Sequence, residues 1–111
     1  MLTGKCKTKF ESWYVESWWS CKYDSPYCER KGLFKIAFFY ELPFSMQYGV
    51  YVDFFDRVGI NIWCYSHNGM VWNNAILTDG RFMKMSKGVF YSRHEARQKA
   101  ILKANEIYNT L

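Results

Sequence analysis

Apolar side chains recur along this chain with different rhythms, and each rhythm predicts an element. Phe10, Trp13, Tyr14, Trp18 and Cys21 follow one another at three- and four-residue steps, with Ser12, Glu16 and Ser20 opposite, which is the period of an amphipathic helix. Thr8-Lys9-Phe10-Glu11 has the spacing of a capping box, so the helix is expected to start at Thr8. Its aromatic stripe suits core packing, whereas Trp19 lies off the stripe and suits an interface. Residues 22–32, with Asp24-Ser25-Pro26 and Arg30-Lys31-Gly32, read as a loop.

Phe34, Ile36, Phe38 and Tyr40 then alternate with Lys35, Ala37 and Phe39, the pattern of a strand, which Leu42-Pro43 ends. From Ser45 to Val58, helical projection gathers Tyr48, Val50, Tyr51, Phe54, Phe55 and Val58 on one side and Asp53, Asp56 and Arg57 on the other. Gly59 is placed to close that helix in the left-handed conformation. Ile60 to Ser66 and Met70 to Leu77 flank His67-Asn68-Gly69, and Asn-Gly between apolar runs predicts a hairpin, because both residues tolerate positive φ. Thr78-Asp79-Gly80 supplies a second turn and Arg81 to Met85 a third strand of a meander. Ser92-Arg93-His94-Glu95 is a second capping box, and Ala96, Ala100, Ala104, Ile107 and Leu111 form the stripe of a closing helix. The expected fold is α+β: a small antiparallel sheet, a meander plus one further strand, packed by N-terminal, middle and C-terminal helices.

A length of 111 residues with 50% apolar and 21% aromatic side chains makes one domain, residues 1–111, with a substantial core. It is too short for a cofactor domain joined to a substrate domain, and no cofactor is expected. No apolar run approaches the roughly 20 residues of a membrane helix, so no membrane partner is expected. The start carries Lys5, Lys7 and Lys9 without the apolar stretch and cleavage site of a secretory signal, so the expected compartment is the cytosol. There Cys6, Cys21, Cys28 and Cys64 stay reduced and serve mainly as small apolar residues.

The net charge of +5 is segregated. Residues 1–35 hold seven basic and four acidic side chains, residues 36–80 one and four, and residues 81–111 seven and two. Two positive ends around a negative middle favour a polyanion or an acidic protein surface as partner. In the last third, Arg81, Lys84, Lys87, Arg93, Arg97, Lys99 and Lys103 are crowded enough to make a continuous basic surface, although a solvated basic face accounts for them equally well. Tyr65, Trp72 and Tyr91, if exposed, would add rings on which unpaired bases stack.

Catalytic patterns are sparse. There is no glycine-rich phosphate loop, nucleophile elbow or His-Glu-x-x-His pair. Asp53 and Asp56 share a helix face and could hold a divalent cation, but such a pair is more often solvated. Cys64-Tyr65-Ser66-His67 has half the spacing of a zinc site, yet Cys21 and Cys28 are too far apart in sequence to form the usual second knuckle. Capping and solvent exposure account for His94. No catalytic or metal-binding residue is therefore expected.

Three stretches carry a resemblance: Phe10-Glu11-Ser12-Trp13-Tyr14, the run from Leu42-Pro43-Phe44 through Asp53-Phe54-Phe55-Asp56 to Ile60, and Ser92-Arg93-His94-Glu95-Ala96-Arg97 with the segment from Lys103 to Asn109. Together they resemble a group of short, functionally uncharacterised proteins encoded by phages and prophages. The resemblance implies a mobile-element origin and carries no site residues. By analogy, small phage accessory proteins commonly act by stoichiometric binding to a host machine, anti-CRISPR proteins among them.

The leading expectation is thus a non-enzymatic inhibitor that docks on a host nucleic-acid-guided defence complex, a protein or ribonucleoprotein, in the host cytosol. Two others stand beside it: a direct RNA- or DNA-binding protein, and a small metal-dependent nuclease using Asp53 and Asp56.

Overall fold

A computed structural model of the chain describes residues 1–18, 36–66, 68–78, 82–85 and 89–111. Trp19, Cys21, Cys28, the loop at 22–32, His67, the turn at Asp79-Gly80, Arg81 and Lys87 lie outside the described residues. The architecture is α+β, built as a three-stranded antiparallel sheet with helices packed on it.

The first helix, α1 (Gly4–Trp13), runs on into a π-helical turn, Tyr14–Trp18, and begins four residues before the expected cap. Thr8 is a helix-interior residue whose hydroxyl donates to the Gly4 carbonyl (3.4 Å), and Glu11 accepts from the Tyr40 hydroxyl (2.9 Å). Two backbone N–H groups at the helix start are satisfied instead by Asn105 and Asn109. Asn109 Oδ1 accepts from the Cys6 N–H and Asn105 Oδ1 from the Thr3 N–H, both at 2.9 Å. Asn109 Nδ2 donates back to the Thr3 carbonyl (3.0 Å) and Asn105 Nδ2 to the Thr3 hydroxyl (3.1 Å). These bonds fasten the start of α1 to the end of the last helix. Gly4 sits at φ +59, where a side chain would be strained and its Cβ would press on Asn109 Oδ1 at 3.1 Å.

Residues 36–41, expected as a strand, form a helix, α2. The correction has a packing origin. Phe39, on the minor face of the alternating pattern, is 1% exposed, with its ring centroid 5.3 Å from Phe10, 5.0 Å from Tyr14 and 5.3 Å from Tyr51. Phe38, on the major face, is 63% exposed. Leu42-Pro43 ends α2 as expected, and the Gln47 side-chain amide donates to the carbonyls of Tyr40 (3.2 Å) and Leu42 (2.8 Å), bracing the corner into α3 (Phe44–Arg57).

Helix α3 matches its pattern: Tyr51, Phe54 and Phe55 are buried, while Asp53, Asp56 and Arg57 are exposed. Gly59 closes it at φ +83. The hairpin follows, β1 (Ile60–Ser66) against β2 (Trp72–Thr78), with Ile62 opposite Ile76 and Cys64 opposite Asn74. The third strand, β3 (Phe82–Met85), pairs with β2 at the other edge. Helix α4 (Arg93–Thr110) starts where expected, the Ser92 hydroxyl accepting from the Glu95 N–H at 3.1 Å. Ala96, Ala100 and Ala104 let it lie close on β1 and β2; Ile101 and Asn105 are buried with them, while Leu111 is exposed, contrary to the expected stripe.

Phe10 holds the helical layer together, with the rings of Trp13, Tyr14, Phe39, Tyr51 and Phe54 all 5.1–6.0 Å from its own. Burying one such side chain contributes about 1.5–3 kcal/mol, and tilted or edge-on ring pairs add about 0.5–1.5 kcal/mol. This packing sets the platform on which the loops at the open end of the sheet stand.

Candidate binding surface at the hairpin end

The loop between β1 and β2 is built from its own side chains. Ser66 Oγ accepts from the Gly69 N–H (2.8 Å) and donates to the Val71 carbonyl (2.6 Å). Asn68 Oδ1 accepts from the N–H groups of Met70 (2.9 Å) and Val71 (3.0 Å), and Gly69 takes φ +77. The loop is thus longer than a two-residue turn, and it leaves Met70 75% exposed at its tip. A short backbone bridge then joins a second segment to this end of the sheet. The Trp72 N–H donates to the Phe90 carbonyl (2.7 Å) and the Phe90 N–H to the Trp72 carbonyl (2.9 Å). Val89, Tyr91 and the start of α4 are brought beside the hairpin, with Val89 exposed and the Tyr91 ring 79% exposed.

Behind this rim stand two arginines one turn apart on α4. The Arg93 guanidinium lies 4.6 Å from the centroid of Trp72, and that of Arg97 lies 4.7 Å from Tyr48. Both positions continue the core-facing stripe of Ala96 and Ala100 and both charged heads rest on rings, with Arg97 half-buried and Arg93 exposed. The Tyr48 hydroxyl donates to Cys64 Sγ at 3.6 Å. Burial raises the Tyr48 hydroxyl above its ordinary range, reinforced by its bond to Cys64, and burial likewise raises the Cys64 thiol against the opposing pull of the Tyr48 hydrogen bond and of Arg97. Both groups are therefore neutral near pH 7, and Cys64 is not an activated nucleophile. Asn74, opposite Cys64, is 1% exposed; its amide N–H donates to the Ala96 carbonyl at 3.0 Å, and its Oδ1 has no partner among the described residues. Arg97 Nε is likewise sealed from solvent without an acceptor among the described residues.

The structure brings together some expected site residues and separates others. Arg93 rests on Trp72 at the hairpin end, the bridge at Phe90 brings the backbone of Tyr91 beside it, and Arg97 lies one turn further along α4 on Tyr48. Trp72 is half-buried under Arg93, so its face is taken by a guanidinium, and Tyr65 is half-buried on β1. Lys99 and Lys103 project roughly 120° round the helix from the arginine pair, and Lys103 pairs with Glu106 at 3.3 Å. The four described α4 cations are thus split between two faces and do not form one continuous basic surface. Lys84 is placed by its backbone, on β3 opposite Ile76.

Asp53 and Asp56 are exposed, and Asp56 accepts from Asn61 Nδ2 at 2.8 Å. Among the described residues no group of three or more His, Cys, Asp or Glu side chains is placed to hold a metal ion, and no helix is long and apolar enough to cross a membrane. Met70, Val89 and Tyr48 belong to the surface or its support without having been singled out as site residues. An apolar residue directly after Asn-Gly was the available signal for Met70, whereas nothing local distinguished Tyr48 from the rest of its core stripe.

Compared with family models, with curated proteins and with solved structures, the chain matches none.

Proposed function

We propose that this protein acts by docking, as a stoichiometric and non-enzymatic inhibitor, on a host nucleic-acid-guided defence complex, and that the hairpin end makes the contact. The observation that carries the reading is the Tyr91 ring, 79% exposed beside an equally bare Met70 and the two ring-seated arginines. Tyr, Met and Arg are the residues enriched where protein surfaces meet partners, and a rigid ring held out by a backbone bridge loses little entropy on binding. The phage resemblance of the sequence directs the choice of target, and the positive charge suits a complex that carries RNA.

Titration of a purified RNA-guided host nuclease tests the proposal. Activity should fall linearly to an end point at one equivalent of protein, and Tyr91→Ala combined with Met70→Ser should shift the titration to weaker binding without altering the fold. Inhibition that proceeds with turnover, or that is indifferent to this pair, would remove the reading.

A further inference from the structure

We infer that Arg93 and Arg97 form a seat for a backbone phosphate of single-stranded RNA, with Tyr91 as the ring on which the neighbouring base stacks. The inference rests on the docking reading and names the chemical group that the same surface grips. Three features point to it.

Neither guanidinium has a carboxylate or a hydrogen-bond acceptor among the described residues, although Arg97 is half-buried and its Nε is shut off from water. A planar cation withdrawn in this way is left with its outer N–H donors to satisfy, and two forks carried one helical turn apart on the same face of α4 suit the oxygens of one tetrahedral anion. The Trp72 and Tyr48 rings fix both heads in advance, so little side-chain entropy remains to be lost on binding.

The surroundings also favour phosphate. Glu95, the acidic residue of the first turn, lies on roughly the opposite side of α4 from the pair, and Glu106 is engaged by Lys103. The start of an 18-residue helix supplies further first-turn N–H groups beyond the one that Ser92 caps. An exposed aromatic ring immediately before this helix is the second half of what proteins use to hold unpaired strands: a cation for the backbone and a π-face for the base.

The test is fluorescence anisotropy of a short labelled oligouridylate with the full chain, between about 50 and 200 mM salt. Arg93→Ala with Arg97→Ala should weaken binding and flatten the log–log salt dependence by about 0.7, the contribution of one neutralised phosphate on a single strand. Arg93→Lys with Arg97→Lys keeps the charge and most of the buried stem, which guards against mere unfolding, and should still lose about tenfold because the fork and the ring stacking are gone. Tyr91→Ala should weaken binding with the salt slope unchanged. Lys99→Ala with Lys103→Ala, on the other face, should have the smallest effect.

Lysine variants that bind like the wild type would reduce the seat to diffuse charge and overturn the inference. Absence of binding by the wild-type chain at low salt would overturn it too. In that case, one-equivalent inhibition of the nuclease that survives in the Arg93→Ala and Arg97→Ala double variant would leave the docking reading standing on a protein contact, whereas loss of both results would remove the two together.

Discussion

Replacing Asn109 by Ala, at the opposite end of the chain from α1, is expected to destabilise the start of α1 more than replacing any residue the local sequence nominates as its cap. Asn109 Oδ1 receives the Cys6 N–H at 2.9 Å, and its Nδ2 gives a second bond to the Thr3 carbonyl at 3.0 Å. Cys6 is wholly buried, so its amide cannot turn to water once the acceptor is removed. An orphaned buried donor costs about 1–3 kcal/mol and a lost helix cap about 0.5–2 kcal/mol, which together place Asn109→Ala at about 1–2 kcal/mol. In a domain of this size the thermal midpoint should fall by about 4–8 °C for each kcal/mol.

Thr8→Ala is the comparison. Thr8 is exposed inside the helix and its hydroxyl makes a long bond to the Gly4 carbonyl at 3.4 Å, so the change should stay within about 0.5 kcal/mol and lean towards stabilisation, since Ala is the better helix former. Urea unfolding followed by tryptophan fluorescence measures both, and amide exchange at Cys6 should accelerate in Asn109→Ala alone. Asn105→Ala combined with Asn109→Ala should be non-additive, because both side chains hold Thr3. A costly Thr8→Ala beside a neutral Asn109→Ala would restore the capping box at Thr8 and refute the assignment of the cap to α4.

Three further outcomes follow from buried groups and from glycines. Burial lifts the Cys6 thiol from 9.0 to about 12, and burial with the proximity of Cys6 lifts the Tyr51 hydroxyl from 10.0 to about 12. The unfolded chain releases these protons at ordinary pH values while the folded chain keeps them, so stability should be full below pH 9 and decline as pH rises towards 12. Urea midpoints measured across that range should fall, more gently at first in Cys6→Ala, and a flat profile would contradict the burial. Gly49→Ala, in the exposed interior of α3 with open space around its Cβ, should stabilise by about 0.5–1 kcal/mol in a thermal melt. Gly69→Ala also has open space but forces a side chain to φ +77, and should destabilise by about 1–2 kcal/mol in the same assay.

Elements whose backbone groups are satisfied by near neighbours could be read from the chain alone. Asn68 and Gly69 carry the turn between β1 and β2 within a few residues, Ser92 caps α4 through Glu95, and Gly59 ends α3, and all three stand where the pattern placed them. Their bonds close locally, so the information lies in adjacent letters.

Tertiary contacts decided the rest. From Phe34 to Tyr40 almost every residue is apolar, so alternation by two and helical spacing are both satisfied, and the contacts of Phe39 with Phe10, Tyr14 and Tyr51 select the helix over 36–41. The cap of α1 comes from Asn105 and Asn109, a hundred residues away, which no window on the sequence around Thr8 contains. Charge counting likewise marked Arg93, Arg97, Lys99 and Lys103 as one group. Only the helix packed on the sheet turns two of them onto Trp72 and Tyr48 and the other two outward, because the direction of a side chain depends on what its element is buried against.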